Sequence, residues 1–231
     1  MKLLRWVKRQ VLSSDTRFRR VQFGVASGMQ LPMNRQNNLR MELGLFEWQL
    51  SPFVRKFTRG AKVAYEVGSA EGYYVLAFCR LLGSSGRVVA FEAQEDEIAA
   101  LKGTLARNGM SERVTIVKGF VGEKEGPGFV TIDGVARQRD VLPPDIVKID
   151  VEGAELKVLQ GMEDTLAKAS PKLLIEVHAL ELETECIRFL EARGYEARVV
   201  DVGLLGRLFP ESRPGANGVH NRWVAAQRKT R

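Results

Sequence analysis

Val63-Ala64-Tyr65-Glu66-Val67-Gly68-Ser69-Ala70-Glu71-Gly72-Tyr73-Tyr74 reads as a strand ending near a carboxylate, a glycine-bearing turn and the start of an apolar helix. Twenty residues after Gly72, a second strand, Arg87-Val88-Val89-Ala90-Phe91, ends in another acid, Glu92. A strand, a glycine turn and an acid at the tip of the next strand form the layout of a nucleoside site. The spacing here is E-x-G-x-x-x-G rather than G-x-G-x-x-G, and Glu66 stands where a pyrophosphate would be repelled. A carboxylate there suits a cationic ligand, such as the amino group and sulfonium of S-adenosylmethionine.

Outward from this stretch, strands and helices alternate. Strand Val63–Gly68 leads into a helix from Gly72 to about Leu82, and strand Arg87–Glu92 into a helix from Asp96 to Asn108, closed by Gly109. A third strand spans Val114–Phe120, a short segment Phe129–Asp133 follows, and a fourth strand spans Asp145–Asp150. One long helix is expected from Gly153, burying Leu156, Leu159 and Leu166. Strand Lys172–Val177, helix Leu180–Arg193, strand Tyr195–Val200 and a seventh strand at Asn221–Gln227 complete the pattern. Such alternation predicts an α/β fold: a seven-stranded, mostly parallel sheet with helices on both faces. Ahead of it, residues 1–60 are expected to form an extension of helix, short hairpin (Val21–Ala26 with Gln30–Met33) and helix (Phe46–Phe57), with residues 61–231 as the core domain.

The net charge of +7 lies at the ends. Residues 1–24 hold seven basic side chains against Asp15, and the last four residues add three more, so the middle is slightly acidic. This is not the basic stripe of a nucleic-acid groove. Leu4, Val7, Val11 and Leu12 share one side of a weakly amphipathic helix, which suits either packing on the domain or contact of residues 1–24 with anionic lipid or an acidic partner. No apolar run is long enough to span a bilayer and no signal-peptide core follows the start, so a cytoplasmic protein, at most peripheral to the membrane's inner face, is expected. Cys79 and Cys186 lack metal or redox spacing.

Ligands of an open α/β sheet bind beyond the carboxyl ends of its strands. Those ends carry Glu66, Gly68 and Ser69; Glu92; Phe120 and Val121, suited to an adenine face; Asp150, Glu152 and Gly153; and Glu176 and His178. Gly68 and Gly72 allow close backbone approach, and Glu92 is placed to accept from ribose hydroxyls. Strand alternation puts Lys148, Asp150 and Glu152 on one side, a costly arrangement unless the charges meet a ligand, a metal or one another.

These residues resemble the FkbM family of S-adenosylmethionine-dependent methyltransferases over roughly Gly44 to Ala225. The resemblance rests on Gly44-Leu45-Phe46-Glu47, Glu66 to Gly72, Phe91-Glu92, Asn108-Gly109, Thr131-Ile132-Asp133, Val147-Lys148-Ile149-Asp150-Val151-Glu152-Gly153-Ala154-Glu155, Leu159-Gln160-Gly161 and Ile175-Glu176-Val177-His178. Glu66 stands in place of the commoner aspartate, and Ala93 in place of the usual proline. The family implies a class I methyltransferase, Rossmann-like fold and O-methylation of sugars, glycans or secondary metabolites, with a small molecule or glycan as acceptor. The cofactor residues are then Glu66, Gly68, Ser69, Gly72, Glu92, Phe120, Val121 and Asp150.

A hydroxyl acceptor must lose its proton, and a neutral histidine is a better base than an ordinary carboxylate. His178 is the candidate base, with Asp150 and Glu152 orienting it or the acceptor. Alternatively Asp150, Glu152, Glu176 and His178 hold Mg²⁺. A nicotinamide oxidoreductase is disfavoured by the glycine spacing. A base methyltransferase is disfavoured because the fourth strand ends in Asp-Val-Glu-Gly, not the Asn/Asp-Pro-Pro-aromatic turn of amino-directed enzymes. A non-catalytic nucleoside-binding module on the same fold is the other reading.

Overall fold

A computed structural model describes residues 12–138, 141–201 and 222–229. The expected helix through Leu4, Val7 and Val11 lies outside the described residues. The chain opens with a two-stranded antiparallel hairpin, β1 (Arg17–Arg20) and β2 (Gln30–Met33), then α1 (Arg35–Glu42) and, after a 3-10 turn at Trp48–Leu50, α2 (Ser51–Phe57). Three parallel strands follow with their crossovers: β3 (Val63–Val67), α3 (Tyr73–Leu81), β4 (Arg87–Glu92), α4 (Glu95–Asn108) and β5 (Val114–Lys118). Next come a small pair, β6 (Phe120–Val121) and β7 (Phe129–Val130), and then α5 (Ile132–Ala136), β8 (Ile146–Ile149), α6 (Glu155–Gln160), α7 (Glu163–Lys168) and β9 (Lys172–Val177). Helix α8 (Leu180–Glu191) leads to β10 (Tyr195–Val199), and β11 (Arg222–Arg228) enters between β10 and β9, antiparallel to both.

The main sheet has the order β10-β11-β9-β8-β3-β4-β5. Every residue of β3 and β8 is buried, as expected of central parallel strands covered on both faces. One core lies under α3, α4 and the N-terminal segment, with Val21, Leu31, Leu50, Tyr74 and Phe78 at its centre. The other lies under α5 to α8, with Ile132, Val158, Leu159, Cys186 and Leu190. After β3 the chain builds outward to β4 and β5, and from β8 it builds the other way to β9. The β3/β8 boundary is therefore the switch point where such sheets open a crevice. Among the described residues no helix is long and apolar enough to cross a membrane.

Several expected boundaries change. The hairpin uses Arg17–Arg20, because Val21, Val25 and Ala26 are drawn into the core instead of laddering. Helix α1 has little apolar periodicity; it is held by Asn34, whose side chain accepts from Gln36 N, and by the Arg35–Glu42 pair. The helix expected from Phe46 begins only after Glu47, whose φ of 45° is left-handed. The third strand stops at Lys118, and Gly119 (φ 149°) turns Phe120 into the separate β6–β7 pair.

Candidate active site

At the switch point the first strand's acid meets a lysine rather than open space. Glu66 and Lys148 are register partners on β3 and β8, and Lys148 Nζ donates to Glu66 Oε1 at 3.0 Å and to Asp150 Oδ2 at 3.3 Å. Lys148 is buried, with its ammonium 4.5 Å from the Tyr74 ring centre and 5.1 Å from that of Trp223. Burial opposes its charge, but Glu66, Asp150, Glu47 and Glu176 together hold it well above the usual lysine range. Burial pushes the Glu66 carboxyl up to about 8, against the pull of Lys148. Glu66 Oε2 is buried and has no hydrogen-bond partner among the described residues. Four carboxylates around one lysine leave an excess of acid, so this end of the sheet favours a cationic ligand.

The turn after β3 is built to bring backbone close. A Cβ on Gly68 (φ 83°) would lie 2.0 Å from the Asp150 carbonyl oxygen, so only glycine fits between β3 and β8 there. Gly68 N and Ser69 N both donate to Phe91 O, and the Ser69 hydroxyl follows at 3.3 Å, so Ser69 is spent on the turn itself. Gly72, also left-handed, starts α3 against Leu101.

Glu92 is a fixed acceptor. Its Oε2 takes the N–H of Ala70 at 3.0 Å, and Oε1 takes those of Ala93 and Gln94 at 2.8 and 3.0 Å. A carboxylate offers about four lone-pair positions, so roughly one is left for a ligand. Phe120 and Val121 part company: Phe120 is exposed and packs on Phe129 with ring centres 5.6 Å apart, whereas Val121 turns into the core.

Beyond β8 and β9, Asp150, Glu176 and His178 each offer a ligand atom within 4.8 Å of the others. Glu152 is not among them. Strand alternation stops at Ile149, and Glu152 sits exposed on the following turn, so the expected one-sided row of three charges reduces to Lys148 and Asp150. Its place is taken by Glu155, a residue sequence reasoning did not single out. Fully buried in the first turn of α6, its Oε1 accepts from Gly153 N at 3.1 Å and lies 2.6 Å from His178 Nδ1. Because that oxygen is the acceptor, Nδ1 carries the proton, and Nε2 faces Asp150 Oδ1 and Glu176 Oε1, each 4.0 Å away. The Glu155 hydrogen bond raises the affinity of His178 for a second proton, against burial, and Glu176 and Asp150 add to it. The signal for Glu155 was an acid at the first position of the helix that follows β8, where a helix N-terminus favours a carboxylate.

Comparison with known proteins sharpens this geometry. Residues 119–197 match the Methyltransferase FkbM domain, a narrower stretch than Gly44 to Ala225 but one containing Asp150, Glu155, Glu176 and His178. The methyltransferase FkbM from Methylobacillus flagellatus KT superposes with a TM-score of 0.55 at 17% identity, over 72% of this chain and 43% of that one. The chain therefore spans less than half the length of that protein. The precorrin-6y C5,15-methyltransferase from Geobacter metallireducens GS-15 gives 0.56 at 16% identity, over 79% and 88% of the two chains. An O-methyltransferase from Bacillus cereus, in complex with SAH, gives 0.50 at 16%, over 77% and 79%. No curated protein matches the sequence. The fold is that of class I methyltransferases: α/β, with a seven-stranded, mostly parallel sheet.

Proposed function

We propose that this chain, with the fold of a class I methyltransferase and a stretch matching the FkbM domain, is an S-adenosylmethionine-dependent O-methyltransferase acting on a hydroxyl of a sugar, glycan or secondary metabolite. The observation that carries the reading is the buried Glu66 Oε2, unpartnered among the described residues, beside a glycine turn at the switch point, in a site where carboxylates outnumber cations. Those residues would hold the cofactor: Glu66 Oε2 its amino group, the backbone at Gly68 and Gly72 by close approach, Glu92 one ribose hydroxyl, Asp150 its cationic end, and the exposed Phe120 the adenine. The Bacillus cereus O-methyltransferase, with SAH, lends support. When bound, the cofactor supplies an electrophilic methyl group on a cationic sulfur.

The chain's own residues supply proton handling and position. His178, locked by Glu155 in the tautomer with Nδ1–H, presents Nε2 as the acceptor for the hydroxyl proton. Asp150 and Glu176, each 4.0 Å from Nε2, stabilise the imidazolium that forms. Lys148 holds Asp150 Oδ2, so that Oδ1 stays turned toward the histidine. Glu152, exposed on the rim, is available to an incoming acceptor.

A second reading rests on the same gap. Asp150, Glu176 and His178 converge as a divalent cation requires, and Mg²⁺ there would lower the acceptor pKa in place of a base. Activity that survives chelation favours the base, and activity lost to chelator and restored by Mg²⁺ favours the cation.

Calorimetric titration of wild type and Glu92→Ala with S-adenosylmethionine and S-adenosylhomocysteine tests the function. Binding by wild type that weakens sharply in the variant is expected. A folded wild type that binds neither overturns the reading, and binding without methylation of any acceptor leaves a cofactor-binding module.

A further inference from the structure

Residues 17–62 hold nine lysines and arginines against two acids, Glu42 and Glu47. Neither acid faces solvent: Glu47 is fully buried, and Glu42 is buried and accepts from Arg35 Nε and Nη2, at 2.8 and 2.6 Å. The charge this segment presents outward is positive. Out of the same segment rise four of the eight exposed large apolar side chains among the described residues: Phe18, Phe23, Leu43 and Leu45.

Three of these share one surface. Gln22 N donates to Glu42 O at 2.8 Å, and a Cβ on Gly44 would lie 2.0 Å from the Phe23 carbonyl oxygen, so the segments 22–24 and 42–45 run in backbone contact. Phe23, 68% exposed, thus stands beside Leu43 and Leu45. Guanidinium groups are anchored at the edge of this patch. Arg55 Nη2 donates to Gly24 O at 3.0 Å and Arg80 Nη1 to Val25 O at 3.4 Å. Arg20 lies three residues before Phe23, and none of the three arginines has a carboxylate partner among the described residues. A monomer gains nothing by holding a phenylalanine and two leucines in water beside exposed arginines. The combination matches a surface that is apolar underneath and anionic on top. Two leucines offer no ring face for a base to stack on, which argues against single-stranded nucleic acid.

We propose that this face docks on an anionic membrane surface, with Phe23, Leu43 and Leu45 entering the headgroup boundary and Arg20, Arg55 and Arg80 meeting lipid phosphates. The docking does not depend on methyl transfer. Its position matters to the site all the same, because the chain runs from Leu45 directly to Phe46, packed edge-on against Tyr73 at 5.1 Å, and to Glu47, one of the carboxylates around Lys148.

The full chain is sedimented with vesicles of phosphatidylcholine alone and with vesicles of equal parts phosphatidylcholine and phosphatidylglycerol. Co-sedimentation with the anionic vesicles only is expected, reversed by about 1 M salt, where the Debye length falls to roughly 3 Å. The double variant Phe23→Ser, Leu45→Ser changes two exposed side chains, and its fold is checked by circular dichroism. Its bound fraction is expected to fall at least fivefold. Lys2, Arg5, Lys8 and Arg9 remain in both proteins, so the difference reports on this face. Wild type that stays in solution with both vesicles, equal binding to neutral vesicles, or a double variant that sediments like wild type would each overturn the proposal. Retention on DNA or an acidic polypeptide without vesicle binding assigns the face to another partner and overturns it too.

Discussion

His178 gains protons more readily than a free histidine because Glu155 accepts from its Nδ1–H at 2.6 Å. The fold thus favours the charged form. That contribution to stability is complete below the ordinary value of 6.5 and is lost as pH rises through the raised folded value. A base must be neutral, so methyl transfer is expected to rise with pH over the same interval, later than for an unperturbed histidine. Glu155→Gln keeps an acceptor but removes the charge, and should move the titration back toward 6.5. Proton NMR of the imidazole resonances reads this directly, since the chain has only two histidines. Glu66 makes a prediction of a different kind. Burial holds its carboxyl at about 8, so in the ligand-free protein stability falls as pH climbs from the ordinary 4.5 toward that value. A cation reaching Oε2 lowers the proton affinity, and binding of S-adenosylmethionine at neutral pH should release a proton. Calorimetry in two buffers of different ionisation enthalpy measures it; no proton exchange would show that the ligand's charge lies elsewhere.

Helices α6 and α7 were expected as one element from Gly153 onward, and the break between them has a cause outside their own sequence. Gly161 packs so tightly under the β6–β7 connection that a Cβ would lie 2.0 Å from the Gly122 carbonyl oxygen. Asp133, on α5, then caps the second piece, accepting from Asp164 N, Thr165 N and the Thr165 hydroxyl. Gly161→Ala has an ordinary backbone conformation but no room, and should cost about 1–3 kcal/mol, read as a lower urea midpoint. This contrast marks what the sequence could carry. Arg87–Glu92 and Lys172–Val177 are strands at the boundaries read from their apolar runs, because a central parallel strand is buried on both faces and its pattern is local. Gly68 was legible for the same reason, as a glycine required at a strand exit. A cap supplied from thirty residues away leaves no local mark. Glu155 was missed because its partner, His178, lies on the next strand over, while Glu152 was included because alternation was carried past the strand's end.

Across the whole molecule, four elements converge on Lys148: β3 through Glu66, the turn after β8 through Asp150, α3 through Tyr74, and β11 through Trp223. Lys148→Met removes one partner of a buried ion pair and leaves the other in the dry interior. A loss of about 3–5 kcal/mol in denaturant unfolding is expected at pH above about 8, where Glu66 is charged, and a smaller one at neutral and lower pH, where its carboxyl holds a proton. The last of these elements has a consequence for assembly. Strand β11 is the last along the described chain, yet it lies inside the sheet, joined by Val224 and its neighbours to β9 on one side and β10 on the other. During synthesis β10 leaves the ribosome with no sheet edge to join, since the slot beside β9 is reserved for residues not yet made. The lysine at the centre of the site waits equally long for Trp223 to cover it. The molecule therefore cannot close its charged centre domain-half by domain-half: that centre is sealed by the same late event that knits the far edge of the sheet.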